Sequence, residues 1–293
     1  MMSFFKTVRG LLGIAVICLF LLCANAAQMS SLILRPFSRR AFMRFNMGVN
    51  QSFCNLVGKV AIACGNRLIL TGDQPRSENA VAFGNHQSMI DIVMIWRWMS
   101  PLGMAGWIRW FAKYELKYVP GLGWGMQFLN TLFVKRDWSK DADSIRATFA
   151  TLRNSHLPTW LVIFPEGTRI KPDKLKSSQD YARRKGLPIM ERVMIPRGKG
   201  FSASMQGLEG VLHAAYDLTF IYEGPIPSLY NFFTKGGCVV HLHSTRYDMA
   251  DIPRRDRDLN AWLLERFLEK DKRLQSAAAD FHSMTDTLKQ KNI

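Results

Sequence analysis

The stretch Asn85-His86-Gln87-Ser88-Met89-Ile90-Asp91 decides how this chain is read. Before it, Ala80–Gly84 is an apolar run ending in glycine, the pattern of a short buried strand. After it, residues 92–98 are largely apolar and free of breakers, as in a helix entering a core. This places His86 in a strand-to-helix turn and Asp91 in the first turn of the helix. Histidine is the side chain best suited to take a proton near neutral pH, and a nearby carboxylate can orient the ring and stabilise the imidazolium. The turn matters, because residues five apart on one continuous helix do not share a face. The same letters also fit a capping box, Ser88-x-x-Asp91, in which His86 is an ordinary loop residue.

A second stretch shifts the balance toward chemistry. Trp160-Leu161-Val162-Ile163-Phe164-Pro165-Glu166-Gly167-Thr168-Arg169 is an apolar strand that stops abruptly in a polar turn. In parallel sheets, ligand sites gather outside the carboxyl ends of strands. Glu166 can accept hydrogen bonds from hydroxyls, and Arg169 can clamp a phosphate with its planar fork. A plain turn with a surface ion pair is the alternative. Between the two stretches, residues 104–136 are rich in tryptophan and glycine, and Val119-Pro120-Gly121-Leu122-Gly123-Trp124-Gly125 breaks them. Residues 131–134 read as a strand ending at Lys135-Arg136, a pair that suits an anionic ligand or simply solvent.

Working outward, 293 residues could hold one large α/β domain or two small ones, and 48% hydrophobic residues supply ample core. The 39 lysines and arginines exceed the 23 acidic residues, for a formal charge of +16. A surplus of that size points to an anionic partner: nucleic acid, an anionic lipid surface or a phosphorylated small molecule. The basic residues are dispersed, without an arginine-rich run, zinc-finger spacing or RNA-binding consensus, so nucleic acid ranks below membrane and phosphate. Cys18, Cys23, Cys54, Cys64 and Cys238 include no Cys-x-x-Cys and read as reduced thiols. His241-x-His243 lies on one face of a strand, a geometry zinc can use; with no third ligand evident, ordinary strand histidines are the better reading.

Residues 11–27 are uncharged and almost wholly apolar, and as a helix they span about 25 Å. An uncleaved anchor, a monotopic hairpin and a signal peptide compete, with Ala24-Asn25-Ala26 as the possible cleavage site. Arg35, Arg39, Arg40 and Arg44 outweigh Lys6 and Arg9 across the segment, which favours an anchor with the body of the protein in the cytosol. Residues 41–64 form an amphipathic pattern that fits either a core helix or a membrane-surface one. Further strands are expected at 66–71, Ala214–Tyr222 and 237–243, and helices at about 141–153 and 258–274. The resulting division is a membrane-associated region at 1–64, an α/β domain at 65–275 and a polar, loosely held tail at 276–293.

Asn-His-Gln-Ser-Met-Ile-Asp resembles the His-x-x-x-x-Asp motif of the glycerolipid acyltransferases, and Phe164-Pro165-Glu166-Gly167-Thr168-Arg169 resembles that family's second hallmark. Leu132-Phe133-Val134-Lys135-Arg136 is similar to its intermediate motif. Val193-Met194-Ile195-Pro196-Arg197-Gly198-Lys199-Gly200-Phe201 is similar to its fourth motif, in the form found in the lysophosphatidate and lysocardiolipin branch. Lys117-Tyr118-Val119-Pro120 and Glu269-Lys270-Asp271 resemble further stretches of that branch, whereas Met89 stands where tryptophan is usual. The resemblance covers roughly residues 80–274. It implies a single acyltransferase domain of α/β class, with a mixed, mainly parallel sheet flanked by helices. It further implies His86 and Asp91 as catalytic residues, and Arg136, Glu166, Gly167, Thr168, Arg169 and Pro196 as substrate-binding. Arg136 and Arg169 would hold the acceptor phosphate, Glu166 a glycerol hydroxyl, and Pro196 the acyl-donor side. Acyl-CoA or acyl carrier protein would be a co-substrate, a lysophospholipid the acceptor, with no metal or other cofactor required. The acceptor expected is 1-acyl-sn-glycerol-3-phosphate; a remodelling enzyme for another lysophospholipid and a non-enzymatic lipid-binding protein are the alternatives. A serine hydrolase is disfavoured, since no Gly-x-Ser-x-Gly elbow occurs.

Overall fold

The computed structural model describes residues 2–135 and 138–290, with side chains over 4–135 and 141–279. Its centre is a seven-stranded sheet of β1 (Arg67–Gly72), β2 (Ala80–Gly84), β3 (Ile108–Lys113), β4 (Leu132–Val134), β5 (Trp160–Ile163), β6 (Ala214–Tyr222) and β7 (Val239–Asp248). The spatial order is β1-β7-β6-β2-β5-β3-β4. All neighbours pair in parallel except β6 and β7, which are antiparallel. The sheet is thus mixed and mainly parallel, as the sequence implies.

Helices cover both faces: α1 (Met2–Ser30), α2 (Arg39–Ala63), α3 (Ile90–Met99), α4 (Leu122–Gln127), α5 (Trp138–Ser155), α6 (Pro172–Lys185), α7 (Gly198–Gly207), α8 (Leu229–Thr234) and α9 (Asp256–Gln290). Strand β2 is buried along its whole length, which is why it reads as an unbroken apolar run. Its side chains alternate between two cores. Ala80 and Ala82 join Val57, Ala61, Met94 and Trp98 of α2 and α3. Val81 and Phe83 join Phe149, Phe201 and Phe267 of α5, α7 and α9. The sheet order sets β2 between β6 and β5, so the turn after Gly84 opens at the centre of the sheet's carboxyl edge.

Helices α4, α6, α7 and α8 were not part of the sequence reading, and three further elements differ from it. Strand β3 was not anticipated, because a fully buried Arg109 interrupts its apolar pattern; this guanidinium donates to the Gly106 and Ile108 carbonyls. Helix α9 runs on to Gln290, with no break at residue 275. Helix α1 does not stand apart from the body. Gly10 lies against the backbone of Phe233 and Thr234 in α8, Ile14 and Ile17 pack on the core, and Leu21 touches Gly121. Ala24 and Gln28 continue the stripe as buried residues, and Gln28 Nε2 donates to the Gly125 carbonyl at 3.3 Å. These positions recur at three- and four-residue steps and make one helix face. The opposite side, including Phe4, Leu11, Leu12, Val16, Leu19 and Leu22, is exposed and apolar.

Candidate active site

The turn 85–89 is built by its own polar atoms. Asn85 is buried and pairs with β6, its Nδ2 donating to the Phe220 carbonyl at 3.0 Å and its Oδ1 accepting the Phe220 N–H at 2.9 Å. This clamp fixes where the chain leaves β2. The Asp91 carboxylate then gathers the turn around itself. Its Oδ2 accepts from His86 Nδ1 at 2.9 Å, the Gln87 N–H at 2.8 Å and the Ser88 N–H at 2.9 Å. Its Oδ1 accepts the Tyr222 hydroxyl at 2.5 Å. Burial, followed by the Asp91 charge, pushes the Tyr222 phenol well above its usual range, so it remains a donor.

The capping-box alternative holds only in part. Asp91 does reach back to the Ser88 N–H, but the helix N-cap is Met89, which makes no side-chain cap, and the same carboxylate oxygen takes His86. With four donors converging on Asp91, the Nδ1–H points at a carboxylate and Nε2 is the ring nitrogen left with a free lone pair. The imidazole stacks on Phe164 with centroids 4.0 Å apart at 13°, and its side chain is 13% exposed. Phe164 in turn stacks on Trp110 at 6.5 Å. The imidazole is therefore held by a ring face and one hydrogen bond, and remains partly exposed.

Glu166 is placed differently from the sequence reading, which set it against a substrate hydroxyl. It is 3% exposed; Oε1 accepts the His86 N–H at 2.8 Å and Oε2 the Met194 N–H at 3.4 Å. Burial pushes its carboxyl up to about 8, against the pull of those two amides; Asp91 adds to the rise and Lys270 opposes it. Glu166 is thus a strut between the His86 turn and the fourth motif. The N–H groups of His86, Gln87 and Ser88 are all committed to carboxylates.

The remaining predicted residues flank this strut. Gly167 adopts φ +72°, and a Cβ there would press on the Arg197 side chain, which lies over it. Thr168 is half-buried and Arg169 exposed, and among the described residues Arg169 has no ion-pair partner. The Ile170 N–H donates to the His86 carbonyl at 2.9 Å and the Arg197 N–H to the Pro165 carbonyl at 2.8 Å, so the His86, Glu166 and Pro196 segments are stitched together. Pro196 is half-buried beside them, just before α7. Arg136 lies outside the described residues. Its neighbour Lys135 is exposed, with its ammonium 4.7 Å from the centroid of the Tyr114 ring. His241 and His243 bond to Glu223 and Thr71, away from this turn. Among the described residues no group of three His, Cys, Asp or Glu is placed to hold a metal. Tyr222, Phe164 and Arg197 lie at this site and were not singled out by sequence reasoning. Only the register between β2 and β6, which pairs Gly84 with Leu218, brings Tyr222 beside Asp91.

Comparison with known proteins agrees with this geometry. Residues 67–221 match the acyltransferase family and residues 231–291 the acyltransferase C-terminus. The chain is 31% identical to 1-acyl-sn-glycerol-3-phosphate acyltransferase 3 of Arabidopsis thaliana, over 83% of its own length and 67% of that protein's. It is also 31% identical to the human 1-acyl-sn-glycerol-3-phosphate acyltransferase gamma, over 85% and 68%. It thus spans about two thirds of these relatives. The crystal structure of the 1-acyl-sn-glycerophosphate acyltransferase PlsC from Thermotoga maritima shares the fold, with a TM-score of 0.55 at 17% identity, covering 93% of this chain and 98% of that one. On its motifs, its site and these matches, the chain belongs to the acyltransferase family.

Proposed function

We propose that this protein transfers a fatty acyl group from a thioester, acyl-CoA or acyl carrier protein, to the free hydroxyl of 1-acyl-sn-glycerol-3-phosphate, giving phosphatidate. The observation that carries the reading is the His86 Nδ1–Asp91 bond of 2.9 Å, which leaves Nε2 free at the sheet's carboxyl edge. An alcohol is a weak nucleophile at neutral pH. Nε2 takes the hydroxyl proton as the oxygen attacks the thioester carbonyl. The tetrahedral intermediate then collapses, the C–S bond breaks, and the imidazolium returns its proton to the thiolate. Asp91, held by Tyr222 and two backbone amides, stabilises the imidazolium without moving. Arg169, exposed and without an ion-pair partner among the described residues, serves the acceptor phosphate together with Arg136. Arg136 is assigned on the motif alone.

Such an acceptor keeps its acyl chain in a leaflet. Helix α1 suits that need, since one stripe docks on the body while the outer side is apolar and exposed. Residues Phe4–Leu34 are long and apolar enough to cross a membrane: an 18-residue window within them has a mean hydropathy of 2.4, and 17% of it is buried. The docked stripe favours a helix lying along one leaflet with the body on the cytosolic side, where acyl thioesters are found. Arg35, Arg39 and Arg40 at the α1–α2 elbow then face lipid phosphates. The test is product profiling of the purified protein across lysophospholipids of different head group, with acyl-CoA as donor. Preferred acylation of lysophosphatidate supports the reading. Preference for a lysophospholipid with a larger head group, or release of free fatty acid alone, overturns it.

A further inference from the structure

Arg197 has no part in the mechanism so far, although it lies on the turn that carries the second motif. Its backbone is fixed there, since its N–H donates to the Pro165 carbonyl at 2.8 Å. Its side chain is fixed as well. Cδ, Nε and Cζ lie 3.3, 3.5 and 3.6 Å from the point where a Cβ on Gly167 would stand, so the guanidinium rests against the bare glycine. Even a methyl group at 167 would press on it. The turn itself is pinned to His86 at both ends. The Glu166 carboxylate accepts the His86 N–H at 2.8 Å, and the Ile170 N–H donates to the His86 carbonyl at 2.9 Å. Arg197 therefore packs on the middle of a bridge whose two ends both hold His86. Its guanidinium is exposed and, among the described residues, makes no hydrogen bond or ion pair. The same is true of the Arg169 guanidinium and the Thr168 hydroxyl, just beyond Gly167 on the bridge. An arginine held by its stem with its whole fork unoccupied, near a second one, suits an anion.

We propose that Arg197 binds the phosphate of the acceptor beside Arg169, and that its charge sets the preference for a phosphomonoester head group. The inference rests on the function proposed above. A phosphomonoester carries about two negative charges near neutral pH and several strong acceptor oxygens, enough to engage more than one guanidinium. The choice between the two phosphate-bearing substrates follows from reach. In 1-acyl-sn-glycerol-3-phosphate the reacting hydroxyl and the phosphate sit on neighbouring carbons, so a hydroxyl at His86 brings its phosphate to the bridge. In acyl-CoA the whole pantetheine arm separates the thioester from the phosphates. A cation packed against the residue that follows Glu166 is thus matched to the acceptor. Gly167 then serves twice, through its positive φ and through the bare surface on which the arginine lies.

The experiment compares kcat and KM for the full chain and for Arg197→Gln and Arg197→Lys, in micelles of one uncharged detergent, with acyl-CoA as donor. The acceptors are lysophosphatidate and 1-monoacylglycerol, which offers the same hydroxyl without the phosphate. Arg197→Gln is expected to raise KM for lysophosphatidate about tenfold, with KM for acyl-CoA nearly unchanged and a melting temperature close to that of the parent. Activity on monoacylglycerol is expected to hold, so the preference for lysophosphatidate narrows by the same factor. Arg197→Lys restores part of the affinity, because it returns the charge without the planar fork. An unchanged KM for lysophosphatidate overturns the proposal. So does a rise in KM for acyl-CoA alone, which assigns Arg197 to the phosphates of CoA. An equal loss on both acceptors overturns it too, since the role is then structural. Should Arg197→Gln not fold, Arg197→Met takes its place with the same outcomes. If the parent transfers no acyl group to lysophosphatidate, the functional reading fails separately. Binding of lysophosphatidate by the parent and by Arg197→Gln then judges the cation, and equal binding overturns it.

Discussion

At the scale of the residue, the proposed catalytic and acceptor-binding roles fall on separate side chains. His86 is committed through Nδ1 to a buried carboxylate, whereas Arg169 is exposed at the end of the second motif. A phosphate clamp acts on ground and transition states alike. Arg169→Ala is therefore expected to raise KM for lysophosphatidate about tenfold or more, with a smaller change in kcat. Steady-state kinetics on both substrates check this, and an unchanged KM removes Arg169 from the phosphate site. Much of this was legible in the sequence: the His86–Asp91 pair needs only a turn between a strand and a helix. Glu166 was not, because its letter gives its chemistry but not its depth. Burial and two backbone donors turn a would-be substrate ligand into a strut. Tyr222 was hidden for a different reason, since it reaches Asp91 only through strand register.

At the scale of the element, the strands that carry the site were readable because they are buried on both faces. Continuous apolar runs at β2 and β5, and a run at β6 interrupted only by Asp217 and Thr219, leave little choice of structure. Strand β3 was missed because Arg109 occupies a core position there. The fourth motif depends on α9, more than sixty residues downstream, a dependence that sequence reading does not reveal. Asp271 accepts three backbone N–H groups from residues 191–193 and the Gln275 amide at 2.7 Å. Hydrogen bonds to a charged group contribute about 1.5–3 kcal/mol each and are not additive, so Asp271→Ala should cost on the order of 3 kcal/mol or more. Thermal melting reads the loss, and hydrogen exchange should show it concentrated at Glu191, Arg192 and Val193. Uniform protection across that segment in the variant would contradict the brace.

At the scale of the whole molecule, the amino-terminal helix belongs to the body on one side and is apolar and exposed on the other. Replacing outward Phe4, Leu12 and Leu19 with glutamine should leave the melting temperature close to that of the parent, because the docked stripe is untouched. It should also release the protein from vesicles in high salt, which screens the arginines of the elbow. Flotation with anionic vesicles checks this; retention in high salt would assign attachment to another surface. Deleting α1 is a poorer test, since Ile14 and Ile17 pack on the core. The account as a whole stands on one histidine at the centre of the sheet's carboxyl edge. The most direct test is phosphatidate formation from lysophosphatidate and acyl-CoA by purified His86→Ala, alongside the parent protein and with melting temperatures recorded on the same samples. The account predicts a loss of at least about a hundredfold in turnover at an essentially unchanged melting temperature. Turnover near that of the parent in folded His86→Ala would contradict it.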